Sequence, residues 1–360
     1  MLETVNSKQA IFTIVMFITG SAIIFGVGGG AEQDIWIVII LSMLLVIPVL
    51  IMYARILEFY PGENLFTISK IVFGTFFGKF IIMLYTWYAF HLGGLVLRNF
   101  SEYIQIVSFP ETPQIFTLTL MTIVTIYFVK SGIEVIGRWT VLFFPILLLV
   151  SLLVIMLSIP IMNPIYIRPT FEYGIMPVIS NTSTVFAFPF AETVLFIMVF
   201  DKINGKVGLR KVYLYSLLIA GSMILLSSVK NVLVLGSAAS LYYFPAHTAA
   251  RLIEVGTFLQ RIEVLTAIIC IACGLIKISI CLLVATRGIA ALFNINDNKI
   301  FVFPTGLLMM SFAVIIYNNT IEMFSWATEI YKYYALPFQL LIPLILWLVL
   351  EIKMRKQKIL

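Results

Sequence analysis

Two ionisable residues interrupt long apolar stretches of the chain. Lys277 lies deep in the apolar stretch 263–286, and Glu192 follows Phe188-Pro189-Phe190 in the stretch 183–200. A charge inside a lipid bilayer costs roughly 2.5 to 3.5 kcal/mol on insertion scales and marks a functional candidate. We predict that both residues take part in proton coupling. The alternatives are that Lys277 extends to the inner surface and that Glu192 caps a half-helix.

Two sites of expected backbone interruption accompany these residues. Gly20 lies in the middle of the first apolar stretch, and Pro189 occupies the corresponding place in the sixth. Inside a helix, glycine costs about 1 kcal/mol and proline about 3. Breaks in a membrane helix persist where they are buried in protein or line a polar cavity, and a matched pair of them points to a transporter binding site. Simple packing kinks are the alternative.

The expected breaks predict the chemistry of a ligand. A half-helix that begins near Ser21 would direct free N–H groups at a carboxylate, while free carbonyls near Thr19, Phe186 and Ala187 would suit an ammonium group. A small zwitterion satisfies both. His91 is either a ligand contact or a packing residue. The predicted ligand-binding residues are Thr19, Gly20, Ser21, Ala22, Tyr88, His91, Phe186, Phe188 and Pro189.

The composition predicts the membrane-spanning helices that must position these residues. Of 360 residues, 61% are hydrophobic and only 11% charged, with a mean hydropathy of +1.08. Soluble domains carry about 25% charged residues, and disordered chains lack hydrophobic residues, so both classes are excluded. We predict an all-α integral membrane protein with ten spans of about 20 residues. The spans are 10–30, 35–57, 79–101, 114–129, 140–160, 183–200, 211–234, 263–286, 300–317 and 335–352.

The net charge of +6 reflects how the chain is oriented in the membrane. Most Lys and Arg residues lie in the loops that share a side with the N-terminus, which predicts that both termini are cytoplasmic. A nucleic-acid partner is therefore not expected. Lys230, near the outer end of span 7, is expected to extend to the surface.

Other motifs give no sign of catalysis. Cys270, Cys273 and Cys281 share one apolar span without a second group of metal ligands, so we expect packing residues and no metal. No zinc-protease, serine-hydrolase or phosphate-loop signature is present. We expect neither an enzyme nor a cofactor.

The longest loop region, 236–261, leads into a segment with helical spacing of apolar residues at 251–263. We predict a short amphipathic helix over the outer face. It either seals the bundle or acts as a moving lid.

Several stretches resemble the B subunits of bacterial spore germinant receptors, a family within the amino acid–polyamine–organocation superfamily. Among them, 258–263 is rather specific. The family often has a proline after the glycine of span 1, where this chain reads Gly26-Val27-Gly28. The matching stretches are 19–25, 34–36, 60–66, 188–192, 251–263 and 275–277.

The resemblance implies two inverted five-helix repeats, at about 8–160 and 183–353, like those of the bacterial leucine transporter. Helices 1 and 6 would be discontinuous and hold a nutrient such as an amino acid. Lys277 would take the place of a sodium ion. The implied partners are a receptor A subunit, a C lipoprotein and the lipid of the spore inner membrane. A proton-coupled amino acid permease and a conduit for ions or water are alternative functions.

Overall fold

The computed structural model describes residues 4–201, 203–204, 207–253 and 261–359. Within these ranges, ten helical segments are long and apolar enough to cross a membrane, which confirms the predicted all-α membrane architecture. The α-helices are α1 Ser7–Phe25, α2 Ile35–Phe59, α3 Leu65–Val107, α4 Gln114–Ser131, α5 Ile133–Ser158, α6 Met176–Val185, α7 Leu209–Leu235, α8 Pro245–Arg251, α9 Ile262–Phe293, α10 Val302–Ile315, α11 Thr320–Ser325, α12 Tyr331–Leu336 and α13 Ile342–Ile359.

Shorter helical segments connect or continue these helices. The 3₁₀ segments are Gly29–Asp34, Ile159–Ile161, Pro164–Ile167, Ala191–Met198, Gly236–Ser240 and Asn298–Phe301, and the π segments are Phe186–Phe190, Trp326–Ile330 and Pro337–Leu341. One two-residue pairing joins β1 Val5–Asn6 to β2 Ile203–Asn204 in parallel. It ties the start of α1 to the connection that precedes α7.

The first helix is continuous through Gly20, so the predicted break at this residue is wrong. A Cβ atom at Gly20 would lie 2.6 Å from the Cβ of Cys273 and 3.0 Å from its backbone carbon. Glycine therefore allows α1 to pack closely against α9. The helix instead ends at Phe25, because Gly26 (φ +69°) and Gly28 (φ +60°) adopt the left-handed conformations that glycine tolerates.

The sixth span is interrupted where the sequence predicts it. Helix α6 ends at Val185, a π segment covers Phe186–Phe190, and a 3₁₀ segment continues from Ala191 to Met198. Phe188 has extended geometry (φ −128°, ψ 118°). Pro189 explains this, since proline disfavours helical geometry in the residue before it and has no N–H to donate.

Two spans extend well beyond their predicted limits. The third candidate span covers Leu65–Val107, with a non-helical Gly74 (φ +78°) inside it, and the tenth covers Thr320–Arg355. The early part of the tenth contains Glu322, Glu329 and Lys332, which lower its hydropathy. The tenth span is therefore built from α11, α12, α13 and two π segments.

The amphipathic helix predicted over 251–263 falls largely on 254–260, which lies outside the described residues. On either side of it, α8 ends at Arg251 and α9 begins at Ile262. Whether this segment seals the bundle or moves stays a prediction.

Candidate functional site

A buried ion pair forms the centre of the site. The Nζ atom of Lys277 on α9 lies 2.5 Å from Oε2 of Glu192, and both side chains are almost completely buried. The same Nζ donates a hydrogen bond of 3.0 Å to Oγ of Ser21 on α1. Lys277 therefore turns toward Glu192 and does not extend to the inner surface, which was the alternative considered.

The second carboxylate oxygen of Glu192 begins a chain of hydrogen bonds. The hydroxyl of Tyr331 donates to Oε1 at 2.6 Å and lies 3.1 Å from the hydroxyl of Tyr88. The side-chain amide of Gln339 donates to the Tyr88 oxygen and to the carbonyl of Ala187, each at 2.9 Å. The network joins α1, α3, α9, α12 and the break in span 6. Buried networks of this kind help to fix the relative positions of the elements that supply them, although Oε1 of Gln339 is buried without a partner.

Aromatic rings complete the surroundings of the lysine. Its Nζ lies 5.1 Å from the ring centre of Phe17 and 4.9 Å from that of Phe188. Both distances suit cation–π attraction, which is strongest where water is excluded. Phe188, whose backbone is extended, therefore also places its ring against the Lys277 ammonium group.

A cavity of about 90 Å³ lies beside the ion pair. Ser21, Phe188 and Glu192 line it together with the Gly26–Gly28 backbone, and Lys277 lies behind Glu192 and does not line it. The cavity therefore offers a carboxylate and unwound backbone to an incoming molecule. Its other lining residues are Phe25, Leu92, Leu95, Val96, Asn99, Phe100, Thr184, Tyr317, Met323, Phe324, Trp326, Ala327, Thr328 and Tyr331.

Two buried polar atoms on residues that line the cavity have no hydrogen-bond partner. They are Oδ1 of Asn99, an acceptor, and Nε1 of Trp326, a donor. Buried polar atoms in proteins are bonded in the great majority of cases, so an unbonded pair beside a cavity needs an explanation. A small molecule with both a donor and an acceptor could bond to both atoms.

Tyr317 adds a further hydroxyl to the cavity from the turn between α10 and α11. Burial raises the pKa of Tyr317, and the nearby Glu322 raises it further, although Arg98 acts in the opposite direction. The hydroxyl is therefore protonated at neutral pH and available as a donor.

The other predicted ligand-binding residues lie around the cavity without lining it. Thr19, Gly20 and Ala22 are buried within α1, and the Thr19 hydroxyl donates to the Val15 carbonyl at 2.8 Å. Tyr88 belongs to the hydrogen-bond network. Phe186, Pro189 and His91 do not line the cavity either.

His91 packs among aromatic rings, and one of them belongs to Trp326, which lines the cavity and lies 5.8 Å away between ring centres. The His91 ring centre lies 4.8 Å from that of Tyr334 and 5.6 Å from that of Trp87. Its Nδ1 atom is buried without a hydrogen-bond partner. The packing role and the ligand contact therefore both stay predictions.

Free carbonyls at the break in span 6 were also predicted, and this detail is wrong. The Phe186 carbonyl accepts a hydrogen bond from the Ala191 N–H, and the Ala187 carbonyl accepts one from Gln339. Freed backbone groups cannot stay unbonded in hydrocarbon, and here the protein itself satisfies them. Neither carbonyl is therefore left free for a ligand ammonium group.

Four important residues were missed by sequence reasoning. Asn99 and Gln339 are polar residues inside predicted apolar spans, and this position could have identified them as candidates. Trp326 and Tyr331 lie before the predicted start of the last span, so no such signal was available for them. Within the described part of the chain, no group of three or more His, Cys, Asp or Glu residues could hold a metal ion.

Comparison with known proteins gives the family. Residues 4–321 match the model of the spore permease family, whose members are described as spore germination proteins. Spore germination protein KB of Bacillus subtilis (strain 168) is 28% identical over 98% of this chain and 96% of its own length. The putative spore germination protein YfkT of the same organism is 25% identical over 90% of this chain and 88% of its own length.

Solved structures share the fold at low sequence identity. The nucleobase-cation-symport-1 family transporter Mhp1, in a closed conformation with bromovinylhydantoin bound, is 12% identical with a TM-score of 0.64, over 90% of this chain and 76% of that one. MhsT in complex with L-phenylalanine is 13% identical with a TM-score of 0.63, over 97% of this chain and 99% of that one. The fold is thus that of transporters of the leucine-transporter type, and with a family model matched over most of its length the chain belongs to the spore permease family of spore germination proteins.

Proposed function

We propose that this chain is the membrane subunit of a nutrient germinant receptor and that it binds a small amino-acid-like ligand beside Glu192. The observation that carries the proposal is the cavity between α1, α3 and the break in span 6. It combines one buried carboxylate with an unbonded acceptor on Asn99 and an unbonded donor on Trp326. Family and fold are those of receptors and transporters rather than of enzymes.

The ligand ammonium faces Glu192 in this proposal, between the rings of Phe188 and Tyr331. The ligand carboxylate faces the indole N–H of Trp326 and the backbone of Gly26–Gly28. This arrangement keeps the zwitterion predicted from the sequence but moves its contacts from freed helix ends to side chains and the glycine turn. Charge-assisted hydrogen bonds of this type are the strong ones.

Signalling then depends on competition for Glu192. Lys277 already neutralises this carboxylate, so a ligand ammonium that approaches it shares or displaces the lysine. A ligand shifts a protein between two states only when it binds them with different affinity. The two states in this proposal differ in how closely Lys277 and Glu192 pair.

A proton-coupled amino acid permease is the second candidate. The buried ion pair favours it, because a carboxylate and an amine in contact can exchange a proton during transport, and the structural neighbours include transporters. Uptake of labelled amino acids into proteoliposomes, with and without a pH gradient, separates the two. Concentrative uptake by the isolated chain would establish the permease. A conduit for ions or water stays a third alternative.

The setting of the receptor follows the family resemblance. We propose that the chain lies in the spore inner membrane with both termini in the cytoplasm. It assembles there with an A subunit and a C lipoprotein. The division into repeats at about 8–160 and 183–353 stays a prediction, as do the roles of the individual site residues.

The test uses ligand-dependent thermal stabilisation of the purified chain in detergent, with each standard L-amino acid added separately. Trp326→Phe removes the indole N–H beside the cavity and replaces the two-ring side chain by a single ring. The matched control is Trp347→Phe on α13, because Nε1 of Trp347 is also buried without a partner but does not line the cavity. We expect at least one amino acid to stabilise the wild-type protein and the control, and to lose most of that effect in Trp326→Phe.

Equal stabilisation of both variants would show that the amino acid does not bind in this cavity. Stabilisation by no amino acid, with a folded protein, would remove the amino-acid-like ligand. Spores that carry Trp326→Phe in place of the wild-type chain should also need a higher nutrient concentration to germinate, and spores with Trp347→Phe should not.

A further inference from the structure

A larger groove lies outside the ligand cavity, between α5, α7 and α9. Its volume is about 560 Å³, and its wall is formed mainly by apolar side chains such as Phe144, Leu147 and Met223. Leu152, Leu218 and Leu226 line it as well and are 46%, 55% and 49% exposed. Because exposed leucines on membrane-crossing helices face lipid, the groove opens toward the hydrocarbon of the bilayer.

One charged residue, Lys230 of α7, lines this groove. Its side chain is 3% exposed, so the prediction that it extends to the surface is wrong. Among the described residues, no acid lies within ion-pair distance of its ammonium group and no hydrogen bond from it is found. The other buried cations are paired, Lys277 with Glu192 and Arg98 with Glu102.

A second polar group in the groove is also without a partner. The hydroxyl oxygen of Thr266, on α9, is buried and makes no hydrogen bond. A buried cation needs an opposite charge and a buried hydroxyl needs an acceptor. One anionic group with several acceptor oxygens would satisfy both.

The position of Lys230 along α7 indicates the kind of anion. The 27 residues of α7 rise about 40 Å, which exceeds the roughly 30 Å of bilayer hydrocarbon. Lys230 lies about 7 to 8 Å before the end of the helix at Leu235, given a rise of 1.5 Å per residue. This places the ammonium group near the boundary between hydrocarbon and headgroups, where lipid phosphates lie.

We propose that the groove between α5, α7 and α9 binds one anionic phospholipid, whose phosphate contacts Lys230 and Thr266 and whose acyl chains lie against the apolar wall. A phosphate offers the negative charge and the several oxygens that the two groups need. A lipid with net negative charge is favoured over a zwitterionic one. No acidic side chain lines the groove, so the positively charged group of a zwitterionic headgroup would have no partner there. The proposal is independent of the amino-acid site, which lies on the other side of α1.

The experiment measures lipid retained by the purified chain and its stabilisation by added lipid. The chain is extracted from bilayers that contain phosphatidylglycerol and phosphatidylcholine, and co-purified lipid is quantified by native mass spectrometry. Thermal stabilisation is then measured with phosphatidylglycerol, phosphatidylcholine or oleate added to delipidated protein. The variants are Lys230→Met, Lys230→Arg and Thr266→Val, with Lys130→Met as the control because Lys130 is exposed at the end of α4.

We expect the wild-type chain and the control to retain one phosphatidylglycerol. Lys230→Met should bind it about fivefold or more weakly, the change expected for one basic residue near a membrane surface. Lys230→Arg should retain most of the binding, and Thr266→Val should weaken it without abolishing it.

Three results would overturn the proposal. Equal retention by Lys230→Met and the wild type would mean that the lipid is held elsewhere. Equal stabilisation by phosphatidylcholine would remove the requirement for negative charge, and stabilisation by oleate alone would replace the phospholipid by a fatty acid. If Lys230→Met proves unstable, Thr266→Val carries the test, since it keeps the size of the side chain.

Discussion

The two buried lysines of this protein have opposite surroundings. Lys277 contacts a carboxylate, a serine hydroxyl and two aromatic rings, whereas Lys230 has no ionic or hydrogen-bond partner among the described residues and faces an apolar groove. Both are basic residues inside apolar spans, so hydropathy alone does not distinguish them. The difference lies in the partners that other helices supply, which Lys277 has and Lys230 lacks among the described residues.

The largest effect should come from Lys277→Met. This change leaves Glu192 buried without its counter-charge, and breaking a buried ion pair costs about 3 to 5 kcal/mol. We expect a severe loss of stability in detergent, measured by thermal and denaturant-induced unfolding. Wild-type stability in this variant would show that Glu192 is protonated in the native protein.

Lys230→Met should act in the opposite direction by a smaller amount. Removing an unpaired charge from near the edge of the apolar region should stabilise delipidated protein by about 1 to 2 kcal/mol, below the cost at a helix centre. The gain should shrink in bilayers rich in phosphatidylglycerol, where the wild-type lysine has a partner. Destabilisation in delipidated protein would mean that Lys230 is paired within the fold after all.

Ser21→Ala should cost about 1 kcal/mol or somewhat more, because it removes one hydrogen bond from the charged Lys277 while Glu192 remains. The same unfolding measurement checks this. Ser42→Ala is a suitable reference, since Ser42 is a buried serine of α2 whose hydroxyl donates to backbone carbonyls instead of contacting a charge. A loss no larger than that of the reference would show that the serine does not hold the lysine.

The smallest net change should come from the double variant Glu192→Gln with Lys277→Met. Replacing a whole buried pair by uncharged groups is often neutral, so most of the loss seen in Lys277→Met should be recovered. The double-mutant cycle measures the coupling directly. Additive losses would mean that the two side chains do not interact energetically.

The fold was largely predictable, since apolar spans of bilayer length and the positions of proline follow from simple physics. The helix is interrupted at Pro189, where proline cannot donate a hydrogen bond. Proline alone does not decide the outcome, because Pro48 and Pro145 lie inside the continuous helices α2 and α5. Gly20 did not break its helix, because glycine can also allow two helices to pack closely. Which of these two roles a glycine has depends on the residue opposite it, here Cys273. Packing partners distant in sequence cannot be predicted from one chain without an alignment.

The site was predictable in part for the same reason. Lys277, Glu192 and Ser21 were identified from their cost or position within apolar spans, and the structure brings them together. Tyr331 and Trp326 were not, because the polar residues around them lower the hydropathy of that stretch and they lie before the predicted start of the last span. A binding site built from a helix with average composition leaves no hydropathy signal.

The close contact between Gly20 and Cys273 determines which helices can separate. With almost no space between them, α1 and α9 pack directly against each other at the depth of the hydrogen bond between Ser21 and Lys277. Glu192 lies on a different element, the 3₁₀ segment that follows the interruption at Phe188. If the proposed change of state moves this segment relative to α1 and α9, we expect Lys277 to stay with Ser21 and to separate from Glu192.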